Sequence, residues 1–205
     1  MSVVHENADS RPARTLIVFL PGLKDRARVF EKEGFVELVR QHHLAADIVE
    51  ADAHVGYYVK GNVVRRLERD VIEPAERRRY QRIILVGVSM GGYGAVRYVM
   101  AHPNQIAEIV LLSPFLGAGP FERELAQPND PDFKETWDWI NHFPVGKPHP
   151  RIVLGYGHLD AFVKTDRDLA ERLPPADVIN LFGAHIWPTW HKLFEQMLER
   201  QLLDE

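Results

Sequence analysis

Cysteine is absent from all 205 residues. That single absence removes disulfides, thiolate nucleophiles and thiolate metal ligands together. It also fits a reducing compartment. Long apolar runs are missing too. No stretch nears the ~20 residues that span a bilayer. The amino terminus, with His5, Glu6, Asp9 and Arg11, is polar and lacks the apolar core of a signal peptide. Nor is one sign of charge in large excess: 25 Lys and Arg face 29 Asp and Glu, a formal charge of −4. That balance gives no electrostatic reason to expect nucleic acid or a membrane surface as partner. No histidine and carboxylate set has metal-ligand spacing, and the glycines from Gly87 to Gly94 lack the lysine of a phosphate-binding loop. The expectation is a cytoplasmic chain whose chemistry needs neither metal nor cofactor.

What is present is an ordinary core. With 45% hydrophobic and 26% charged residues, the chain reads as one globular domain over 1–205. Six short runs rich in Val, Ile and Leu lie at 15–20, 46–51, 82–88, 106–112, 151–156 and 177–182. Several are continuous rather than alternating, as expected of strands covered on both faces. Helical periodicity separates them. Val63, Val64, Leu67 and Val71 share one face of 62–73, and Trp190, Leu193, Phe194, Met197 and Leu198 form a stripe in 190–198. Pro188 fits the first turn of that last helix. Alternating strands and helices predict an α/β fold, a mostly parallel six-stranded sheet with helices on both faces. The segment 114–150 breaks the alternation. It is rich in proline and aromatics, too long for a plain connection, and reads as a short cap with a helix near 133–141.

The strongest local signal is Gly87-Val88-Ser89-Met90-Gly91, placed between the strand 82–88 and a helical stretch at 90–101. A serine on a tight strand-to-helix turn exposes its hydroxyl, and small neighbours two residues away on either side make the turn possible. Gly94 is expected to let that helix approach the sheet. The Met90 N–H, at the helix start, would point at a developing oxyanion. A serine needs a base within hydrogen-bond reach. His185 follows the last strand in Gly183-Ala184-His185-Ile186-Trp187-Pro188, on the sheet edge that carries Ser89. His158 and His54 also follow strands and compete with it. His102, His42 and His43 read as helix ends. The base in turn needs an acid that fixes its tautomer. Asp160, just past the strand 151–156, is on the same edge. Asp166 is its rival, although Asp166 and Asp168 read as solvated helix charges. Tyr57, which follows a strand, and Trp187, which follows His185, are candidates to line a substrate pocket, as are aromatics of the 114–150 segment such as Phe115. The basic stretch from Arg65 to Arg82 is interleaved with Glu68, Asp70, Glu73 and Glu76 and reads as a solvated face.

Ser89, Asp160 and His185 occur in the chain order of the α/β-hydrolase family, which the sequence resembles from about Thr15 onward. The stretch Phe19-Leu20-Pro21-Gly22-Leu23 looks like that family's oxyanion turn, so the resemblance implies the Leu23 N–H as a second donor beside Met90. The segment 183–190 is similar to the histidine loop of small esterases. Pro21 stands where many relatives have histidine, and the family's leading antiparallel strands are expected to be absent. The resemblance implies a minimal serine esterase acting on a small ester through an acyl-serine. Thioester or peptide hydrolysis with the same triad is one alternative, and a silent binding module on the same scaffold is another.

Overall fold

The computed structural model describes residues 1, 3–6, 13–117, 131–143 and 150–203. Its strands are β1 (Val3–Glu6), β2 (Thr15–Leu20), β3 (Ala46–Ala51), β4 (Arg82–Val88), β5 (Glu108–Leu112), β6 (Arg151–Gly157) and β7 (Val178–Leu181). They form one sheet in the order β1-β3-β2-β4-β5-β6-β7. The six strands expected from the apolar runs are all there and all parallel.

The seventh corrects the expectation that no antiparallel strand leads the sheet. β1 pairs antiparallel with β3, with Val3 opposite Ala51 and Glu6 opposite Ile48. An edge strand is held by backbone hydrogen bonds and needs no apolar run to announce it.

Both faces of the parallel sheet are covered, which is why its strands read as continuous apolar runs. Leu16, Val18 and Leu20 of β2 turn to one face, where Leu67, Val71, Val96 and Val99 meet them. Ile17 and Phe19 turn to the other, against Phe30, Phe35, Leu193 and Phe194. The first layer is supplied by the helices Val63–Leu67, Glu73–Arg77, Met90–Ala101 and Val163–Ala170. The second comes from Val29–Lys32, Phe35–Gln41 and Trp187–Glu199. The helical region expected at 62–73 runs on to Arg77 through a π turn at Glu68–Ile72. There the Glu73 N–H reaches back to Glu68 O. This wide turn accommodates Pro74, which has no N–H to give the ladder.

Of the 114–150 segment, residues 118–130 and 144–149 lie outside the described residues. The expected helix is present as Pro131–His142. It is more than a cover. Ile140 is 4% exposed and joins the main core layer, and Trp137 Nε1 donates to Leu116 O at 2.8 Å.

At the amino-terminal edge of the sheet, Glu108 is buried between two arginines. Arg82 donates to it at 3.2 Å, and Arg151 lies 3.6 Å away while also pairing with Asp177 at 2.6 Å. The two guanidinium groups also hold the carbonyls of Leu203 and Leu202, each at 2.6 Å, tying these residues to β4 and β6. Burial pushes the Glu108 carboxyl up to about 7, against the pull of Arg82 and Arg151. No helix among the described residues is long and apolar enough to cross a membrane.

Candidate active site

The carboxyl ends of β2, β4, β6 and β7 meet at one edge of the sheet, and the turns that leave them carry Leu23, Ser89, Asp160 and His185. Ser89 follows β4 with φ 53° and ψ −114°, a positive-φ conformation costly for a residue with a side chain. The turn is held in place from both sides. The Ser89 N–H donates to Leu112 O at 3.0 Å, and Ser89 O accepts from Phe115 N at 2.9 Å and Gly92 N at 3.0 Å. A Cβ at Gly91 would lie 1.9 Å from Leu20 O, so only glycine lets the helix Met90–Ala101 start this close to β2. Gly94 meets the Tyr58 ring, with its hydroxyl 2.5 Å from where a Cβ would stand, rather than the sheet.

The β6 and β7 turns are joined by backbone hydrogen bonds. His158 N–H donates to Leu181 O and Leu159 N–H to Gly183 O, both at 2.9 Å. A Cβ on Gly157 would come within 2.2 Å of Gly183 O, so this close approach also depends on glycine. The result places Asp160 beside His185. His185 Nδ1 lies 2.9 and 3.0 Å from the two Asp160 oxygens, and His185 Nε2 lies 2.9 Å from Ser89 Oγ. Asp160 is fully buried and accepts a further hydrogen bond from Phe162 N at 2.9 Å. The imidazole is gripped edge-on by Phe162 and Trp190, each ring centre 4.8 Å away. Ser89, His185 and Asp160 thus form one hydrogen-bonded chain of fixed orientation.

The rivals lie elsewhere. His54 Nδ1 accepts from Gly56 N at 3.1 Å and caps a short helix. His158 Nε2 pairs with Asn180 Oδ1 at 2.8 Å, and His102 stacks on Tyr98 at a helix end. Asp166 is not the solvated charge expected from its helical position. It is 0% exposed, with neither carboxyl oxygen hydrogen-bonded among the described residues, and burial together with Asp160 raises its carboxyl well above the usual range. The helix Val163–Ala170 turns that face inward along with Thr165 and Leu169, which burial places there and periodicity alone did not. Asp168 is exposed as expected.

Ser89 and His185 open onto a cavity of about 150 Å³. Leu23, Met90, Phe115, Phe162 and Trp190 form its apolar wall, and Lys24 and Asp25 are its charged members. Neither the Leu23 nor the Met90 N–H has a hydrogen-bond partner among the described residues. Tyr57 and Trp187 do not line this cavity. Tyr57 packs at a tilt against His54, ring centres 4.5 Å apart, under the Arg66 guanidinium, and Trp187 packs edge-on against Phe30, Phe35 and Trp190. Phe115 lines the cavity, as expected of the aromatics of the 114–150 segment, whereas Phe162, Trp190, Lys24 and Asp25 carry no such expectation from the sequence. The available signal was position, because each except Trp190 sits within five residues past the carboxyl end of a parallel strand. Trp190 was visible only as a member of its helix stripe.

The segment 64–143 matches the family model described as serine aminopeptidase, S33. It contains Ser89, Met90 and Phe115 but not Leu23, Asp160 or His185. No curated protein matches the chain in sequence. Solved structures match its shape over most of its length. Est1E from Butyrivibrio proteoclasticus aligns with a TM-score of 0.70 at 12% identity, covering 98% of this chain and 93% of that one. The S-formylglutathione hydrolase FrmB from Staphylococcus aureus gives 0.67 at 16% identity, covering 92% and 81%. The monoacylglycerol lipase of Paleococcus ferrophilus gives 0.65 at 15% identity, covering 97% and 98%. With its parallel sheet, its strand–Ser89–helix elbow and these likenesses together, the chain has the α/β-hydrolase fold.

Proposed function

We propose that the protein is a serine hydrolase that cleaves small carboxylic esters through an acyl-serine intermediate. The observation that carries this reading is the hydrogen-bonded chain from Ser89 Oγ through His185 to Asp160. In the first half-reaction His185 Nε2 takes the Ser89 proton as Oγ bonds to the carbonyl carbon. Asp160 accepts the Nδ1–H bond, holds the tautomer and stabilises the imidazolium. The Leu23 and Met90 N–H groups receive the oxyanion, with the dipole of the helix Met90–Ala101 behind Met90. When the C–O bond breaks, His185 returns the proton to the departing alcohol. Water then adds to the acyl-serine by the same route, and the acid leaves with Ser89 restored. One ester and one water give one acid and one alcohol.

The cavity sets the scale of the substrate. A space of about 150 Å³ holds roughly a benzene ring, so the group it takes has roughly six carbons or fewer. Its apolar wall suits a short hydrocarbon acyl chain. Thioesters are the second reading, since a thioesterase domain from the curacin biosynthetic pathway is among the structures of this shape, with a TM-score of 0.65. The elbow is built from glycines and backbone hydrogen bonds, so Ser89→Ala is expected to keep the fold and lose hydrolysis of p-nitrophenyl acetate. A purified Ser89→Ala variant with near wild-type turnover would remove the nucleophile from this scheme.

A further inference from the structure

Asp25 is a carboxylate placed where the proposed chemistry makes an anion unwelcome. It sits on the turn after β2, its N–H bonded to Gly22 O at 3.2 Å. It lines the cavity onto which Ser89 and His185 open. A Cβ at Gly22 would stand 3.2 Å from Asp25 Oδ2 and 3.8 Å from the Ser89 Cβ, so carboxylate and nucleophile flank the same glycine. Two residues away, the Leu23 N–H is the donor that would hold a developing oxyanion. A fixed negative charge there opposes the charge the site must stabilise.

Among the described residues its charge is only partly offset, by a hydrogen bond from Trp187 and by the more distant charge of Lys32. Burial and the nearby Glu33 both work against its ionised form. Its side-chain donor is Trp187, which occupies a fraction of the lone-pair sites of a carboxylate. Lys32 is near but is paired with Glu33 at 3.5 Å, and among the described residues neither Lys32 nor Lys24 forms an ion pair with Asp25. Lys24, the cation at the cavity mouth, is exposed and screened by solvent. The rest of the wall offers no other acceptor side chain of full charge.

We infer that Asp25 is the recognition group for a positive charge on the substrate, so that the cleft selects esters carrying an ammonium group close to the scissile carbonyl. This rests on the ester-hydrolase reading above. A cationic ester would supply the counter-ion that the protein withholds, and would offset the repulsion between Asp25 and the oxyanion. A neutral ester of the same shape leaves both penalties in place, which is discrimination by an unsatisfied charge. Asp25 lies outside the segment 64–143 that matches the family model, so its role is not carried over from there.

The ammonium stands on either the acyl or the alcohol side, and two ester pairs separate these. Phenyl alaninate against phenyl propionate tests the acyl side. Propionylcholine against 3,3-dimethylbutyl propionate tests the alcohol side. Each kcat/KM is divided by the hydroxide-catalysed rate of the same ester, which removes intrinsic reactivity. A charge-assisted contact predicts a preference of about tenfold or more for the cationic member of one pair. In Asp25→Asn the ratio should fall to near one, and Asp25→Glu should restore most of it. A ratio near one in both pairs, or a preference untouched by Asp25→Asn, would overturn the inference while leaving the hydrolase reading intact. If none of the four esters is turned over, the hydrolase reading fails and this inference falls with it.

Discussion

Replacing Glu108 by glutamine should make the stability of the protein, relative to wild type, rise with pH. Glu108 is 1% exposed at the start of β5, and burial lifts its carboxyl from 4.5 to about 7 despite Arg82 and Arg151. The folded form therefore holds the proton more tightly than the unfolded chain does. Below about pH 4.5 the group is protonated in both states and its contribution is whole. As pH rises through about 7 the unfolded chain ionises freely while the fold resists, and that stability is lost. At ~1.4 kcal/mol for each pH unit between the two values, ionising Glu108 costs the fold about 3 kcal/mol. Glutamine never ionises, and whatever it changes at Arg82 and Arg151 adds a constant offset. The difference in unfolding free energy between Glu108→Gln and wild type should accordingly shift by about 3 kcal/mol in favour of the mutant from pH 4.5 to 8. Urea titrations followed by tryptophan fluorescence at four or five pH values would measure it. A difference independent of pH, or one moving against the mutant, would mean that Glu108 is already an ionised partner of the arginines and that burial does not dominate.

Three further outcomes follow from the site and the core. Asp160→Asn should lower kcat/KM by up to ~10⁴-fold and Asp166→Asn by less than about tenfold, because only Asp160 reaches His185; equal, small losses in steady-state assays would place the acid elsewhere. Gly91→Ala should destroy hydrolysis and destabilise the fold, since its Cβ would land 1.9 Å from Leu20 O; an active, wild-type-stable variant on thermal melting would show that the turn is looser than described. Ile140→Ala should cost about 2–5 kcal/mol in chemical denaturation, as expected of a residue in the main core layer. A loss under about 0.5 kcal/mol would return the helix Pro131–His142 to the status of a dispensable cover.

Strand positions were legible because the sheet is covered on both faces, so strands such as Thr15–Leu20 and Arg82–Val88 appear as apolar runs with their full extent. The elbow was legible because steric crowding admits only glycine at Gly91. β1 was not, since an edge strand is held by backbone pairing, here with Ala51 to Ile48, and needs no apolar run to mark it. The burial of Asp166 was hidden because a helix period shows which residues share a face, not which face is turned inward. The cavity wall was hidden for a related reason. Phe162 and Trp190 come from separate parts of the chain, and only the folded sheet edge brings them against His185. Tyr57 followed the same positional logic as Asp160 and went instead to His54 and Arg66.

The most direct test of the central claim is covalent. Ser89 in contact with His185 Nε2 should react with a fluorophosphonate, giving one adduct per chain located by peptide mass at Ser89, absent in Ser89→Ala and much slower to form in His185→Ala. A protein that remains unlabelled while folded, or that is labelled equally well at another serine in Ser89→Ala, would contradict the assignment of Ser89 as the nucleophile.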